Sequence, residues 1–271
     1  MQTRPRRLRA LPVNCLIPNI LTVMALCAGM SAIRFALQGK WELAVAAVLV
    51  AGVLDGLDGR LARLLKGATK FGAELDSLSD FIAFGVAPTM VIYLWSTNTL
   101  GGIGWVCGLA YSTCCALRLA RFNTALDDPD RPAWAGNFFT GVAAPAGAGI
   151  VLLPMGIAFQ VEWSFLRDPA FMAVWLLLVG FLMVSRIPTF SFKRIRVRRD
   201  LVLPTLLVVG LTAALLASYP WFVVSAFGVL YIVSIPFSIR SHRRLSQGLP
   251  PPPVETDGDE DDDGPDEKTT L

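Results

Sequence analysis

Val174-Trp175-Leu176-Leu177-Leu178-Val179 is apolar at every position. A strand of a membrane-spanning barrel alternates apolar with polar residues, so this stretch does not read as one. A helix satisfies its own backbone hydrogen bonds, which a lipid environment demands, and such a helix can be apolar all round. Working outward, the apolar run continues over about 169–189, close to the roughly 20 residues needed to cross a bilayer. Seven similar runs lie at about 15–38, 41–64, 74–96, 100–121, 137–160, 201–217 and 220–239. The last two abut at Tyr219-Pro220, which reads as a tight outer turn. Of the 271 residues, 54% are hydrophobic and only 17% charged, against about 25% charged in soluble domains. The expected fold is an all-α polytopic membrane protein of about eight transmembrane helices with a cytoplasm-facing polar cavity.

Basic residues set the orientation. Arg4, Arg6, Arg7 and Arg9 precede the first run, and Lys66 and Lys70 follow the second. Lys193, Arg194, Arg196, Arg198 and Arg199 follow the sixth, and Arg240, Arg243 and Arg244 the eighth. The alternate loops hold chiefly Lys40 and Arg167. The positive-inside rule then puts both termini in the cytoplasm. The first apolar stretch outruns a secretory signal's core and lacks a good cleavage site, so it is expected to stay as a span. A bacterial inner membrane is the implied location.

Three parts follow: a basic segment over 1–14, a membrane domain over 15–240 and a tail over 241–271. The tail has four consecutive prolines and then nine acidic residues between Glu255 and Glu267. Without those nine and Lys268, the rest holds 23 basic and 12 acidic residues, a net +11 against +3 overall. Such a tail cannot bury a core and is expected to be disordered. The five cysteines lie in or beside apolar runs and form no CxxC pair, so packing is their default role. The single histidine, His242, sits among arginines beyond the last run, which excludes a histidine-ligated metal or a histidine-based hydrolase. No nucleic-acid partner is expected.

The chemistry lies where the second run ends and the third begins: Asp55-Gly56-Leu57-Asp58-Gly59-Arg60-Leu61-Ala62-Arg63, then Gly72, Asp76 and Asp80. Carboxylates at a membrane are costly and are functional candidates by default. Asp55 and Asp58 are three apart and Asp76 and Asp80 four apart, so each pair shares one helix face. A helical hairpin would bring the two faces together. Four converging carboxylates repel unless cations neutralise them, and hard oxygen donors suit Mg²⁺, Mn²⁺ or Ca²⁺. Two divalent ions among four aspartates would make a nearly neutral site suited to displacement at phosphorus. Gly56, Gly59, Ala62 and Gly72 remove bulk where a nucleotide could approach. A purely structural reading instead pairs the aspartates with Arg60, Arg63, Lys66 and Lys70.

The spacing Asp-x2-Asp-Gly-x2-Ala-Arg-x8-Gly-x3-Asp-x3-Asp, met at Asp55, Asp58, Gly59, Ala62, Arg63, Gly72, Asp76 and Asp80, resembles the signature of the CDP-alcohol phosphotransferase family. Over about 11–240 the chain is most similar to one branch, the membrane-embedded phosphatidylserine synthases. Ile17-Pro18-Asn19-Ile20-Leu21-Thr22 resembles their opening element, and Leu117-Arg118-Leu119-Ala120-Arg121-Phe122-Asn123 a later segment. Phe139-Thr140-Gly141-Val142-Ala143-Ala144-Pro145-Ala146 and Ser185-Arg186-Ile187-Pro188-Thr189-Phe190-Ser191-Phe192-Lys193 also look similar.

This resemblance implies transfer of a phosphatidyl group from CDP-diacylglycerol to L-serine, with two Mn²⁺ or Mg²⁺ ions and a homodimer in the membrane lipids. Asp55, Asp58, Asp76 and Asp80 would hold metal, and Asp80 would also take the acceptor's proton. Gly59, Ala62, Arg63 and Gly72 would bind the CDP-lipid. Asn19 and Thr22 would either join them or pack helices by polar contacts. Arg118, Arg121 and Lys193, with Asn123 and Arg186 nearby, are candidates to grip the serine carboxylate; their alternative role is snorkelling to lipid phosphates. Rival readings are another acceptor (glycerol 3-phosphate or inositol), an ether CDP-lipid, or a non-catalytic ion-coupled transporter.

Overall fold

The computed structural model describes residues 13–65, 69–126, 138–185, 188–190 and 202–246. It is helical almost throughout. Helix α1 spans Val13–Leu37 and α2 Trp41–Leu64; α3 covers Lys70–Asp80, and a π turn over Phe81–Val86 joins it to α4, Ala87–Trp95. Then come α5 (Gly102–Leu126), α6 (Ala144–Ala158), α7 (Pro169–Val184), α8 (Val202–Ser218) and α9 (Pro220–Ser246). The break between α8 and α9 falls at Tyr219-Pro220, because proline lacks the N–H that would continue the helix.

Among the described residues, three helical runs are long and apolar enough to cross a membrane: Leu16–Leu37, Lys70–Trp95 and Gly102–Thr124. Shorter apolar helices cover Ala144–Ala158, Pro169–Val184, Leu207–Ser218 and Pro220–Ser234. Helix α2 is 24 residues long, but its last turns carry Asp55, Asp58, Arg60 and Arg63, which take it out of the purely apolar class. The expected fifth and sixth runs, 137–160 and 169–189, prove shorter as helices. Their outer parts form an antiparallel ribbon, β1 (Phe138–Thr140) on β2 (Pro188–Phe190), with Phe139 opposite Thr189. Gly141 follows β1 at φ +81°, and its α-carbon lies so close to the Met183 and Ser185 carbonyls that a side chain there would collide. A left-handed turn pinched between two carbonyls requires glycine.

Packing is tight where side chains are small. Ala25, Ala32 and Ala36 of α1 are buried at three- to four-residue spacing with Gly29 between them. A Cβ at Gly29 would stand 2.7 Å from the Ala83 Cα in the π turn. Small residues let membrane helices approach closely, replacing the hydrophobic drive that lipid removes. Leu and Val side chains such as Val53, Val106, Val174 and Leu207 point outward and are exposed, as a lipid-facing surface requires. At the far end of the Lys70–Trp95 run, the Arg167 Nε donates to the Trp95 carbonyl (3.2 Å) and its guanidinium covers the Trp95 ring at 5.9 Å. Aromatic and basic residues of this kind are interface anchors.

Candidate active site

The site is built where the end of α2 meets the start of the Lys70–Trp95 run. The Thr69 hydroxyl caps α3, accepting from the Gly72 N–H at 3.0 Å. Gly72 is needed there, since a Cβ would lie 2.8 Å from the Asn19 Oδ1 of α1. Asn19, half-buried, therefore stands against the first turn of α3. Ser79, buried, donates to the Thr22 carbonyl of α1 (3.0 Å), which fixes the face of α3 two turns on.

This docking brings Asp55 of α2 together with Asp76 and Asp80 of α3, one carboxylate oxygen from each lying within 4.8 Å of the others. Asp58 stands outside this group of three but within electrostatic reach of Asp55 and Asp76. It is 4% exposed, and its Oδ2 accepts from the Thr22 hydroxyl at 2.8 Å. That hydroxyl also lies 3.1 Å from the Pro18 carbonyl, but its one proton serves the shorter, charge-assisted contact. Thr22 is 4% exposed and so packs helices rather than facing open space. Replacing Thr22 by the near-isosteric valine leaves Asp58 buried without this donor. We expect a loss of about 1–3 kcal/mol, read as a lower unfolding temperature in detergent, and no such change for Thr212→Val on the exposed face of α8.

Two like charges closer than 4.8 Å repel by roughly 3–4 kcal/mol at an effective dielectric of ~20. Among the described residues no ion pair joins Arg60, Arg63 or Lys70 to the aspartates, so the purely structural pairing is not formed by them. The three carboxylates thus have the donor set of a hard divalent cation. Beside them α2 leaves space. A Cβ at Gly56 or Gly59 would meet nothing within 4 Å, Ala62 is half-buried and Arg63 exposed.

Helix α5 supplies the next wall. Arg118 is half-buried with its guanidinium 5.6 Å from the Phe122 ring centroid, within electrostatic reach of Asp80, Asp55 and Tyr231. Arg121 is engaged differently: its Nη1 donates to the Val184 carbonyl at the end of α7 (3.0 Å). Asn123 Nδ2 donates to the Ser77 hydroxyl (2.8 Å), beside Asp76. Lys193 and Arg186 lie outside the described residues. Ser77 and Ser79 escaped the sequence reading. Their only mark is that small hydroxyl residues occupy the gap between two aspartates.

A family model described as CDP-alcohol phosphatidyltransferase matches residues 15–184, more than half of the chain, and one described as CDP-alcohol phosphatidyltransferase 2 matches 200–236. The chain belongs to the CDP-alcohol phosphatidyltransferase family. Its apolar helices and this family make it an integral membrane protein. The CDP-diacylglycerol–serine O-phosphatidyltransferase of Mycobacterium leprae is 37% identical over 246 residues, 91% of this chain and 81% of that one. The enzyme of the same name from Helicobacter pylori is 33% identical over 228 residues, 82% of this chain and 91% of that one. A crystal structure of Mycobacterium tuberculosis phosphatidylinositol phosphate synthase with CDP-DAG bound covers 66% of this chain and 92% of its own, at 20% identity and a TM-score of 0.45, too distant to carry over its fold or its acceptor. All four aspartates, the glycines beside them and Arg118 lie inside the longer match to the CDP-alcohol phosphatidyltransferase model.

Proposed function

We propose that the chain transfers the phosphatidyl group of CDP-diacylglycerol to L-serine, yielding phosphatidylserine and CMP. The observation that carries this reading is the Asp55–Asp76–Asp80 cluster beside the unfilled Gly56 and Gly59 face. Carboxylates supply the charge that divalent ions neutralise, and the open face leaves room for a nucleotide head. Serine as acceptor rests on relatives of that name at 33–37% identity over most of the chain.

In this reading the protein has eight membrane spans, sits in a bacterial inner membrane with both termini and the site cytoplasmic, and forms a homodimer. The membrane domain runs over 15–240, between a basic N-terminal segment and an acidic C-terminal tail, with helix α9 continuing past that boundary to Ser246. CDP-diacylglycerol enters sideways from the inner leaflet. Gly59, Ala62, Arg63 and Gly72 line the nucleotide and pyrophosphate, with Asn19 at the α3 end. Asp55, Asp58, Asp76 and Asp80 would hold Mn²⁺ or Mg²⁺, two ions by charge balance, with Asp58 steadied by Thr22. Bound divalent ions offset phosphate charge and stabilise the leaving group. Arg118 orients the serine carboxylate; Lys193, outside the described residues, is a second candidate for that role, and Arg121, bonded to the Val184 carbonyl, holds α5 to α7 beside it. Asp80 accepts the proton of the serine hydroxyl as its oxygen bonds to the phosphorus bearing diacylglycerol. The bond from that phosphorus to the CMP oxygen breaks, and CMP leaves.

Labelled L-serine supplied to purified protein with CDP-diacylglycerol and Mn²⁺ should enter the lipid phase. A tenfold excess of glycerol 3-phosphate or inositol should not reduce its incorporation by more than about twofold. Label entering only from one of those alcohols would keep the chemistry and overturn the acceptor.

A further inference from the structure

The helix that carries Asp76 and Asp80 does not continue as an α-helix. Immediately after Asp80 it widens into the π turn Phe81–Val86, where the Ala87 N–H bonds to the Ile82 carbonyl, five residues back. A π turn adds about one residue to the helical cycle, roughly 100° of rotation for everything beyond it. It therefore sets the direction of the aspartate face of α3 independently of the face that α4 packs into the bundle through Ala87, Val91 and Trp95.

Such a turn disturbs the backbone hydrogen bonding in an apolar interior, where no water can replace a missing donor. Helix α5, together with Thr89 in the first turn of α4, supplies the donors. The fully buried Tyr111 hydroxyl donates to the Phe84 carbonyl at 3.0 Å. The Thr89 and Ser112 hydroxyls lie 2.8 Å apart and within 2.8 and 3.1 Å of the Gly85 carbonyl, so one donates to that carbonyl and the other to its neighbour. The approach is close: a Cβ at Gly85 would stand 3.2 Å from the Cys115 Sγ of α5.

We propose that Tyr111, seconded by Ser112, is a positioning residue for Asp80. It holds the π turn at the register in which Asp80 and Asp76 meet Asp55, although it touches none of them. This rests on the metal-site reading given above. One phenolic hydrogen on α5 thereby governs how well a carboxylate cluster made by α2 and α3 closes on a divalent ion.

The test is Mn²⁺ binding to the purified full-length protein in detergent, followed by electron paramagnetic resonance, for wild type, Tyr111→Phe, Ser112→Ala and Thr212→Val. Tyr111→Phe should weaken Mn²⁺ binding about 3–10-fold, the range expected when one intramolecular hydrogen bond is lost. It should lower kcat by a similar factor and leave KM for the acceptor unchanged. Ser112→Ala should move in the same direction, and Thr212→Val should do neither. Tyr111→Phe with a lower unfolding temperature but wild-type Mn²⁺ affinity and kcat would overturn the proposal, leaving the hydroxyl a merely structural role. Wild-type protein whose Mn²⁺ binding is indifferent to Asp80→Asn would overturn the metal reading instead, and the inference with it.

Discussion

Asp80→Asn should lower CMP release by about 10³–10⁴-fold while the protein stays folded. The substitution keeps the side chain's shape and removes both its negative charge and its capacity to accept a proton. A general base alone accounts for typically 10²–10⁴. Asp80 also lies within 4.8 Å of Asp55 and Asp76, so the same change weakens the cluster that holds the ion. Removing one of three like charges relieves repulsion, so the unfolding temperature without metal should stay level or rise. The signature is this opposition: lower activity and weaker Mn²⁺ binding with no loss of apo-protein stability. An activity loss below about tenfold would remove Asp80 from the chemistry.

Gly59→Leu should lower kcat/KM for CDP-diacylglycerol by about a hundredfold or more, again without unfolding the protein. Nothing stands within 4 Å of a Cβ at this position, so the fold has room for the side chain. Replacing a helical glycine with leucine even favours the helix, by up to about 1 kcal/mol. Filling space meant for a nucleotide has the opposite effect on the substrate. Gly59→Ala should give a smaller defect, graded by size, with Mn²⁺ binding unchanged in both variants. A leucine variant with wild-type kcat/KM would mean that the nucleotide does not use this face of α2.

The contrast between these two positions reflects what a sequence records. Aspartates at three- and four-residue spacing in apolar helices announce themselves, because membrane burial makes each carboxylate expensive. The meeting of Asp55 with Asp76 and Asp80 was legible for that reason. The turning of Asp58 toward Thr22 was not. It depends on how α1 and α2 cross, which brings together two residues 36 apart in the chain.

The π turn was equally hidden. Phe81-Ile82-Ala83-Phe84-Gly85-Val86 reads as ordinary apolar helix, and its irregularity becomes visible only with the Tyr111, Ser112 and Thr89 hydroxyls placed around it. The β1–β2 ribbon was absorbed into two apolar runs, because short apolar segments carry no periodicity that separates strand from helix. Arg121 had the composition of a substrate-binding residue. Its bond to the Val184 carbonyl ties α5 to the end of α7, just before the strand that leads toward Lys193.

The most direct test of the central claim is CMP release from CDP-diacylglycerol in mixed micelles by the full-length protein, with L-serine, before and after chelation by EDTA. The account predicts serine-dependent release that chelation abolishes and that Mn²⁺ or Mg²⁺ restores. Release indifferent to chelation, or Mn²⁺ binding with no CMP released for any alcohol offered, would contradict it; the latter would identify the aspartates as an ion site of a non-catalytic membrane protein.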